Sequence, residues 1–299
     1  MRAVRLATRR SPLALAQAQY VASRLAAIGV ETELVHVETH GDRHHDVPID
    51  RLGGQGAFAV EVQRAVLDGE ADVCVHSAKD LPSTAPDGLR LVCVPERRDP
   101  SDALIGRSLA GLGPGATVAT GSPRRRALLL ERRPDLRVVG LRGNMATRFG
   151  TVGRDGVDAV VVATAALERL SRSDLSVERL DPEWFVPQVG QGAIALETRG
   201  DDGPTTELME RLNDASAMTA LLAERAFLRE LGSGCTIPAG AHATVVEGLV
   251  RLSGVMLALD GSRSVRVTLE GTDPRSVGAR VARRLRDDEG GATLPGWVG

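Results

Sequence analysis

Short apolar runs alternate along the chain with stretches in which apolar residues recur every three or four positions. The first pattern predicts strands and the second predicts helices. Pro12 suits the first position of a helix, and Gly29 follows the end of that helix. In the first hundred residues the pattern predicts strands at 3–8, 32–38, 71–76 and 89–95 and helices at 12–28 and 57–68. This alternation is typical of a parallel, doubly wound α/β sheet.

The pattern breaks at the Pro-containing segment 95–100 and then begins again. The second series has predicted strands at 116–120, 136–140 and 157–163 and helices at 124–132, 144–150 and 164–170. A Gly-rich crossing segment at 187–192 leads to a strand at 193–198 and helices at 204–213 and 216–230. The tail differs, with strands at 241–247, 250–259 and 264–270 before one helix at 275–287, which indicates a small α+β domain.

Composition narrows the class of protein. The 299 residues are 42% hydrophobic and 25% charged, as in soluble globular proteins. A net charge of −2 and 2% aromatic residues argue against nucleic-acid binding, which uses basic domains and stacking rings. We expect a cytoplasmic protein, because no apolar run is long enough to span a membrane and no signal-peptide pattern is visible. Three cysteines without metal-like spacing predict neither disulfides nor a metal site.

One long segment, 40–56, carries several glycines together with His40, His44 and His45. Three neighbouring histidines are compatible with a metal site, but no second cluster of ligands supports one. Loops of this length without predicted structure are usually functional or disordered. We therefore interpret the segment as an exposed, mobile loop.

Three predicted strand-to-helix turns combine Arg with Ser, Thr or Asn, at 8–12, 120–126 and 141–148. A helix N-terminus offers free N–H groups and a positive dipole end, and a neighbouring Arg completes an anion site. Three such turns predict a ligand with several carboxylates or phosphates. The alternative is that Ser and Asn only cap helices while the arginines are solvated. Nucleotides are not favoured, because no Walker A or G-x-G-x-x-G pattern is present.

Lys79 is the only Lys among 37 basic residues, and it directly precedes Asp80. A carboxylate at the end of a strand can act as general acid and base or stabilise a cation, although Asp also caps turns frequently. Cys235 lies in a Gly-rich loop at 232–238 and is a candidate nucleophile or attachment point. Cys74 and Cys93 lie in apolar strands and are expected to be inert core residues.

Taken together, these residues resemble the porphobilinogen deaminase family, also called hydroxymethylbilane synthases. The matching runs follow the family's order over about residues 3–242 and are Ala7–Ala14, His76–Pro82, Gly121–Arg125, Leu141–Arg148, Val189–Ala193 and Gly234–Cys235. The resemblance implies two doubly wound α/β domains like the lobes of a periplasmic binding protein, plus a small C-terminal α+β domain. It implies domain 1 at 1–98 with 191–214, domain 2 at 99–190 and domain 3 at 215–299.

The resemblance also implies the chemistry. In this family a Cys, here Cys235, forms a thioether to a dipyrromethane cofactor. Four porphobilinogens are added to it head to tail, each losing ammonia, and hydrolysis releases hydroxymethylbilane for tetrapyrrole and haem synthesis. Every pyrrole ring carries an acetate and a propionate, so the growing chain brings many carboxylates into one site. Arg suits them because it binds carboxylates bidentately and keeps its charge.

Residue by residue, the resemblance implies that Asp80 is the catalytic group, which stabilises the cation left by loss of ammonia and helps to remove the α-proton. It implies cofactor-binding roles for Cys235, Lys79, Asp80, Ser122, Arg124, Arg125 and Arg148. It implies substrate-binding roles for Arg9, Ser11, Phe58, Arg142, Arg148, Arg169 and Gln191. No metal is implied, and the expected partner is porphobilinogen, bound by a monomer.

One position departs from the family pattern. Many members have a Lys in the glycine loop where this chain has Gln55, which leaves a loop contact to a substrate carboxylate to Arg51 or to no residue. Two other functions are compatible with parts of the sequence. One is a non-catalytic two-lobed receptor for organic anions, and the other is an enzyme that uses Lys79 as a Schiff-base nucleophile.

Overall fold

The computed structural model describes residues 2–39, 56, 58–232 and 238–297. Contacts between Cα atoms divide the chain into two compact units. The first unit is Met1–Arg98 with Ala193–Met218, and the second is Asp99–Gly192 with Thr219–Gly299. The C-terminal segment thus groups with the middle of the chain, and the division into three domains stays a prediction.

The described strands and helices follow the predicted series closely. The strands are β1 Val4–Arg9, β2 Thr32–Val37, β3 Val73–Ser77, β4 Leu89–Cys93, β5 Asp102–Gly106, β6 Thr117–Ala119, β7 Arg137–Val139, β8 Ala159–Ala163, β9 Val177–Leu180, β10 Ile194–Arg199, β11 Ala239–Val246, β12 Leu249–Leu257 and β13 Ser264–Gly271. The helices are α1 Pro12–Ala26, α2 Val60–Leu67, α3 Pro123–Arg132, α4 Met145–Phe149, α5 Thr164–Arg169, α6 Gly203–Glu210, α7 Ala215–Leu231 and α8 Pro274–Arg283. Among the described residues, no helix is long and apolar enough to cross a membrane.

The first unit is built on a five-stranded sheet of order β2-β1-β3-β10-β4. The strands β2, β1 and β3 are parallel, as the pattern predicts, and β10 runs antiparallel to both of its neighbours. The expectation of a wholly parallel sheet is therefore wrong at β10. This strand enters from a distant part of the chain and needs no helical crossover to reach its place.

Each face of this sheet is covered by a helix. Residues of α1, such as Val21 and Leu25, pack with Leu6 and Leu196 on one face. On the other face, Val62 of α2 packs with other buried residues of α2, β1 and β3. This is the doubly wound arrangement that the alternating pattern predicts.

The second unit contains a sheet of order β7-β6-β8-β5-β9, in which β7, β6 and β8 are parallel and β5 is antiparallel to β8 and β9. The sequence pattern did not predict β5 or β9. The strand β5 begins with a charged residue, Asp102, just after the Pro-containing break. The strand β9 reads Val-Glu-Arg-Leu, and its polar residues weaken the apolar signal of an edge strand.

The C-terminal segment forms an antiparallel sheet of order β11-β12-β13 that packs against α7 and α8. A Cβ atom at Gly278 of α8 would lie 2.0 Å from the carbonyl oxygen of Ala223 in α7. The two helices therefore approach so closely that only Gly fits at this position. The predicted fold class, two α/β sheets plus a small α+β domain, is confirmed.

Candidate active site

Lys79 and Asp80 lie in a 3₁₀ turn, Ala78–Asp80, that continues directly from β3. The N–H of Ala78 donates to the carbonyl of Ala193 at 3.0 Å, and the N–H of Leu81 donates to the carbonyl of Ala78 at 3.3 Å. The Asp80 side chain is half-buried. The carboxylate is thus held at the carboxyl end of a central strand, where open α/β sheets bind their ligands.

The neighbouring parallel strand β1 brings a second group of predicted residues to the same edge of the sheet. Ser11 caps α1, and its Oγ accepts a hydrogen bond from the N–H of Ala14 at 3.3 Å. The guanidinium of Arg9 stacks over the ring of Phe58, with 4.2 Å between its Cζ and the ring centroid. This contact is in the range of a cation–π interaction. Arg9, Ser11 and Phe58 therefore belong to one local surface of the first unit.

A buried amide joins α1 to the end of β3. The Nε2 of Gln17 donates to the Oγ of Ser77 at 2.7 Å, and the hydroxyl of Ser77 lies 3.1 Å from the Oε1 of Gln17. Gln17 is 2% exposed, a degree of burial at which an apolar residue is expected from the sequence pattern. This contact ties α1, which Ser11 caps, to the last residue of β3, two positions before Lys79.

The opposite face of β3 carries a polar cluster that sequence reasoning did not identify. The thiol of Cys74, the imidazole of His76 and the carboxylate of Glu197 are buried, and their potential ligand atoms lie within 4.8 Å of one another. Burial, together with the nearby charge of Glu197, raises the pKa of the Cys74 thiol well above its ordinary value. Burial also raises the pKa of Cys93 to about 12. Neither thiol is activated, which agrees with the expectation that both are inert.

In the second unit, three parallel strands end at turns that carry the other predicted residues. Ser122 caps α3 by accepting from the N–H of Arg125 at 3.4 Å, and Asn144 caps α4. A Cβ atom at Gly121 would lie 2.6 Å from the carbonyl oxygen of Leu141. The turn that carries Ser122 therefore lies directly against the turn that leads into Arg142.

Arg124 and Arg125 point into the interior and bind the buried carboxylate of Asp102. One Nη of Arg124 lies 2.7 Å from Asp102 Oδ2, and one Nη of Arg125 lies 2.6 Å from Oδ1. Gln191 joins them by donating from Nε2 to Asp102 Oδ1 at 3.0 Å and accepting from Arg125 at 3.4 Å. All four side chains are buried. Asp102 was not predicted as a site residue, because it lies on β5, a strand that the sequence pattern does not predict.

This network has more positive than negative charge among the described residues, since two guanidiniums face one carboxylate. In addition, the Nε–H of Arg124 is buried and has no hydrogen-bond acceptor in the described part of the chain. Burial works to raise the pKa of Asp102, but the charges of Arg124 and Arg125 outweigh it and hold this pKa below its ordinary value. The network is thus pre-organised and electropositive.

The lowered pKa of Asp102 predicts how stability depends on pH. Because the folded pKa is below the unfolded one, the ion pairs contribute fully above the ordinary Asp value of about 3.9 and are lost as pH falls through the folded pKa. Urea unfolding at a series of pH values should show a free energy of unfolding that decreases on acidification in this window. The Asp102→Asn variant should show a shallower decrease. Equal slopes in the two proteins would contradict the assignment.

The remaining arginines lie closer to the surface of the second unit. Arg142 is exposed, whereas Arg148 and Arg169 are half-buried. The Nε of Arg148 donates to the carbonyl of Gly143 at 3.0 Å, and one Nη of Arg169 donates to the carbonyl of Gly192 at 2.7 Å. Arg148 and Arg169 are thus held by backbone contacts near the carboxyl ends of the parallel strands.

The crossing segment also binds the helix that precedes the predicted cofactor loop. The buried carboxylate of Glu224, in α7, accepts from the N–H of Gly190 at 2.7 Å and from the N–H of Ala243 at 2.8 Å. The sequence did not predict a role for Glu224. The only feature that could have indicated one is a charged residue on an otherwise buried helix face. Cys235 itself, together with Arg51, Gln55, His40, His44 and His45, lies outside the described residues.

Two protein-family models match this chain. The model described as porphobilinogen deaminase, dipyromethane cofactor binding domain, matches residues 4–207. The model described as porphobilinogen deaminase, C-terminal domain, matches residues 218–287. Together the two models cover most of the chain.

Curated relatives named porphobilinogen deaminase are similar to the chain over nearly its whole length. The protein of Syntrophotalea carbinolica is 43% identical over 290 residues, which cover 95% of this chain and 92% of the relative. That of Geobacter sulfurreducens is 42% identical over 293 residues, covering 96% and 92%. That of Bacillus cereus strain AH820 is 40% identical over 292 residues, covering 95% and 94%.

Among solved structures, a periplasmic substrate-binding protein of an ABC transporter from Coxiella burnetii gives a TM-score of 0.43 at 16% identity, covering 72% of this chain and 94% of that one. The methionine-binding protein MetQ gives a TM-score of 0.40 at 16% identity, covering 70% and 89%.

Proposed function

The chain belongs to the porphobilinogen deaminase family, and we propose that Asp80 is the carboxylate at which its reaction takes place. The activity of the family is that of a hydroxymethylbilane synthase, a transferase of tetrapyrrole biosynthesis with a dipyrromethane cofactor. Four porphobilinogens are joined head to tail, each losing ammonia, and hydrolysis then frees hydroxymethylbilane. The family match does not support the alternative of a non-catalytic receptor for organic anions.

One observation carries the assignment of Asp80. Within the matched residues 4–207, Asp80 is a half-buried carboxylate at the carboxyl end of a central strand, immediately after Lys79. A carboxylate in such a place can accept hydrogen bonds from a pyrrole N–H and stabilise positive charge that develops as ammonia leaves. It can then take the α-proton of the ring that has reacted. Lys79 offers a compact positive charge to a cofactor carboxylate and keeps it near Asp80.

The described residues of the second unit fit a group that carries several carboxylates. Two buried guanidiniums face only one carboxylate there, and the Nε–H of Arg124 lacks an acceptor among the described residues. Ser122 and Arg142 lie on adjoining turns. We assign cofactor carboxylates to Lys79, Ser122, Arg124, Arg125 and Arg148. The dipyrromethane supplies the free pyrrole position to which new units are joined.

The substrate carboxylates are assigned to the remaining predicted residues. Arg9, Ser11 and Phe58 form one group beside α1, and Arg142, Arg148 and Arg169 form another near the carboxyl ends of strands in the second unit. Gln191 holds Arg125 in place through its amide oxygen. Guanidiniums fixed by backbone acceptors lose little side-chain entropy when they bind an anion, and this favours tight recognition.

We further propose that the protein acts in the cytoplasm as a monomer, with porphobilinogen as its small-molecule partner and no nucleic acid. The division into domains 1–98 with 191–214, 99–190 and 215–299 is part of the same proposal, and domain 3 would present Cys235. Size-exclusion chromatography with light scattering at several protein concentrations tests the monomer.

The intact mass of the purified protein tests the covalent primer. We expect a mass above that of the polypeptide by one dipyrromethane unit, because a thioether survives denaturation. The Cys235→Ser variant should have the bare polypeptide mass, whereas Cys93→Ser, which removes a buried thiol, should keep the added mass. A bare mass in the unaltered protein that does not increase after incubation with porphobilinogen would refute the assignment of Cys235.

A further inference from the structure

The end of β3 that carries Lys79 and Asp80 is held by polar side chains on both faces of its sheet. On the α1 face, Gln17 binds Ser77. On the α2 face, Cys74 and His76 project toward the same side, because they are two residues apart on a strand. Glu197 of β10 pairs with Cys74 in the antiparallel register and therefore shares that face.

Glu197 is the centre of the cluster on the α2 face. Its Oε2 accepts from the Nε2 of Gln63 at 2.7 Å and lies 3.4 Å from the Nε2 of His76. Glu197 is 0% exposed, Gln63 is 3% exposed and His76 is 5% exposed. The carboxylate therefore links three elements at once, namely β10 on which it lies, β3 through His76 and α2 through Gln63.

A contribution to folding stability does not explain why an acidic residue is buried at this position. Apolar residues of similar volume stabilise a sheet-helix interface as well as a buried polar cluster does, and often better. A buried polar cluster instead restricts the number of ways in which its elements can pack, because directional contacts such as the hydrogen bond from Gln63 to Glu197 are lost when the elements shift. The cluster contacts β3 at His76, which lies four residues before Asp80. The end of β3 and the 3₁₀ turn, which is hydrogen-bonded to Ala193, connect the two residues.

We propose that Glu197, acting through His76 and Gln63, is a positioning residue that fixes the carboxyl end of β3 and thereby the carboxylate of Asp80. The proposal rests on the catalytic role of Asp80 given above. Reactions that depend on one carboxylate are sensitive to its place, because a displacement of about 1 Å can reduce a rate by roughly a hundredfold. A residue that touches neither substrate nor cofactor can thus control the rate.

Three side chains of the cluster also meet the first requirement of a metal site, namely Cys74, His76 and Glu197. Thiolate, imidazole and carboxylate groups all bind zinc. Positioning is favoured because two of them are already engaged within the protein. Cys74 donates to the carbonyl of Val62 at 3.5 Å, and Glu197 accepts from Gln63. Zinc that co-purifies with the protein and is lost in Cys74→Ala would overturn the proposal and assign the cluster to metal binding.

The experiment compares Glu197→Gln with a matched control, Asp72→Asn, in the holoenzyme. Asp72 is also a buried acid of the first unit, 2% exposed and paired with Arg5, but it lies just before the amino end of β3. Both variants should lower the thermal midpoint. Glu197→Gln should in addition lower the rate of the first porphobilinogen addition by roughly ten- to a hundredfold. Its KM should change by no more than about twofold, as expected when substrate binding is intact.

The decisive measurement repeats Glu197→Gln in an Asp80→Asn background, with single-turnover addition followed by mass spectrometry. If Glu197 acts through Asp80, the double variant should add porphobilinogen within about twofold of the rate of Asp80→Asn alone, because nothing is left to position. A further loss as large as that in the unaltered background would show that Glu197 has only a structural role and would overturn the proposal. Undiminished turnover in Asp80→Asn alone would instead refute the catalytic role of Asp80. The two failures are therefore distinguishable.

Discussion

The Asp80→Asn variant is expected to fold and to keep its cofactor, yet to lose turnover of porphobilinogen by roughly 10³-fold or more, as when a central catalytic group is removed. Asn has the same shape as Asp but carries no charge and cannot take a proton at neutral pH. It therefore loses both the stabilisation of positive charge and the acceptor for the α-proton. Formation of hydroxymethylbilane, measured in a holoenzyme of verified intact mass, gives the result directly.

A matched control separates this effect from a general loss of acidic charge. Asp87 lies in the same unit and is exposed, and Asp87→Asn should keep normal turnover. The two variants should have the same circular dichroism spectrum and nearly the same thermal midpoint, because Asp80 is only half-buried. Turnover of Asp80→Asn within tenfold of the unaltered enzyme would remove Asp80 from the proposed mechanism.

The Asp102→Ala variant is expected to have the largest effect on stability. Asp102 is 0% exposed and neutralises part of the charge of Arg124 and Arg125, which are 3% and 6% exposed. Removal of one member of a buried ion cluster leaves uncompensated charge, which typically costs about 3–5 kcal/mol. Urea unfolding with a fitted midpoint and slope measures the loss in the free energy of unfolding.

A surface ion pair gives the contrasting case. Asp174 pairs with Arg172 at 2.7 Å but is exposed, and Asp174→Ala should leave the midpoint of unfolding almost unchanged. If Asp102→Ala does not accumulate as folded protein, Asp102→Asn keeps the shape of the side chain and one of its two acceptor oxygens and should fold with a reduced midpoint. Equal midpoints for Asp102→Asn and the unaltered protein would show that the charge of Asp102 is not needed to hold the two guanidiniums.

Local patterns in the sequence were sufficient for most of the fold. Strand and helix positions follow from the spacing of apolar residues, and Pro12 marks a helix start that the structure confirms. In the two missed segments, β5 and β9, charged residues begin or interrupt a short apolar run. From sequence alone, a carboxylate in a strand is predicted to be exposed unless its buried partners are known. The partners of Asp102 lie 22 or more positions away in the chain.

In the candidate site, the sequence predicted residues that follow the strands but not the residues that support them. Asp80, Lys79, Ser122 and Arg142 follow strands that the pattern predicts, and within each of the two sheets the parallel strands bring their carboxyl ends to the same edge. The supporting residues Gln17, Gln63, Glu197, Glu224 and Asp102 were not predicted. Each is a polar residue on a face that its neighbours show to be buried, so its role depends on contacts with residues far away in the chain.

By itself, the sequence determined the family and its chemistry and predicted the residues that meet substrate, because these follow from short motifs whose members are close together along the chain. The tertiary structure alone decided which charges are paired in the interior. It showed that Arg124 and Arg125 are buried around Asp102, and that Glu197 lies against His76 of β3, the strand that leads to Asp80. The physical reason is that burial and pairing depend on which distant segments meet, and local periodicity carries no information about that.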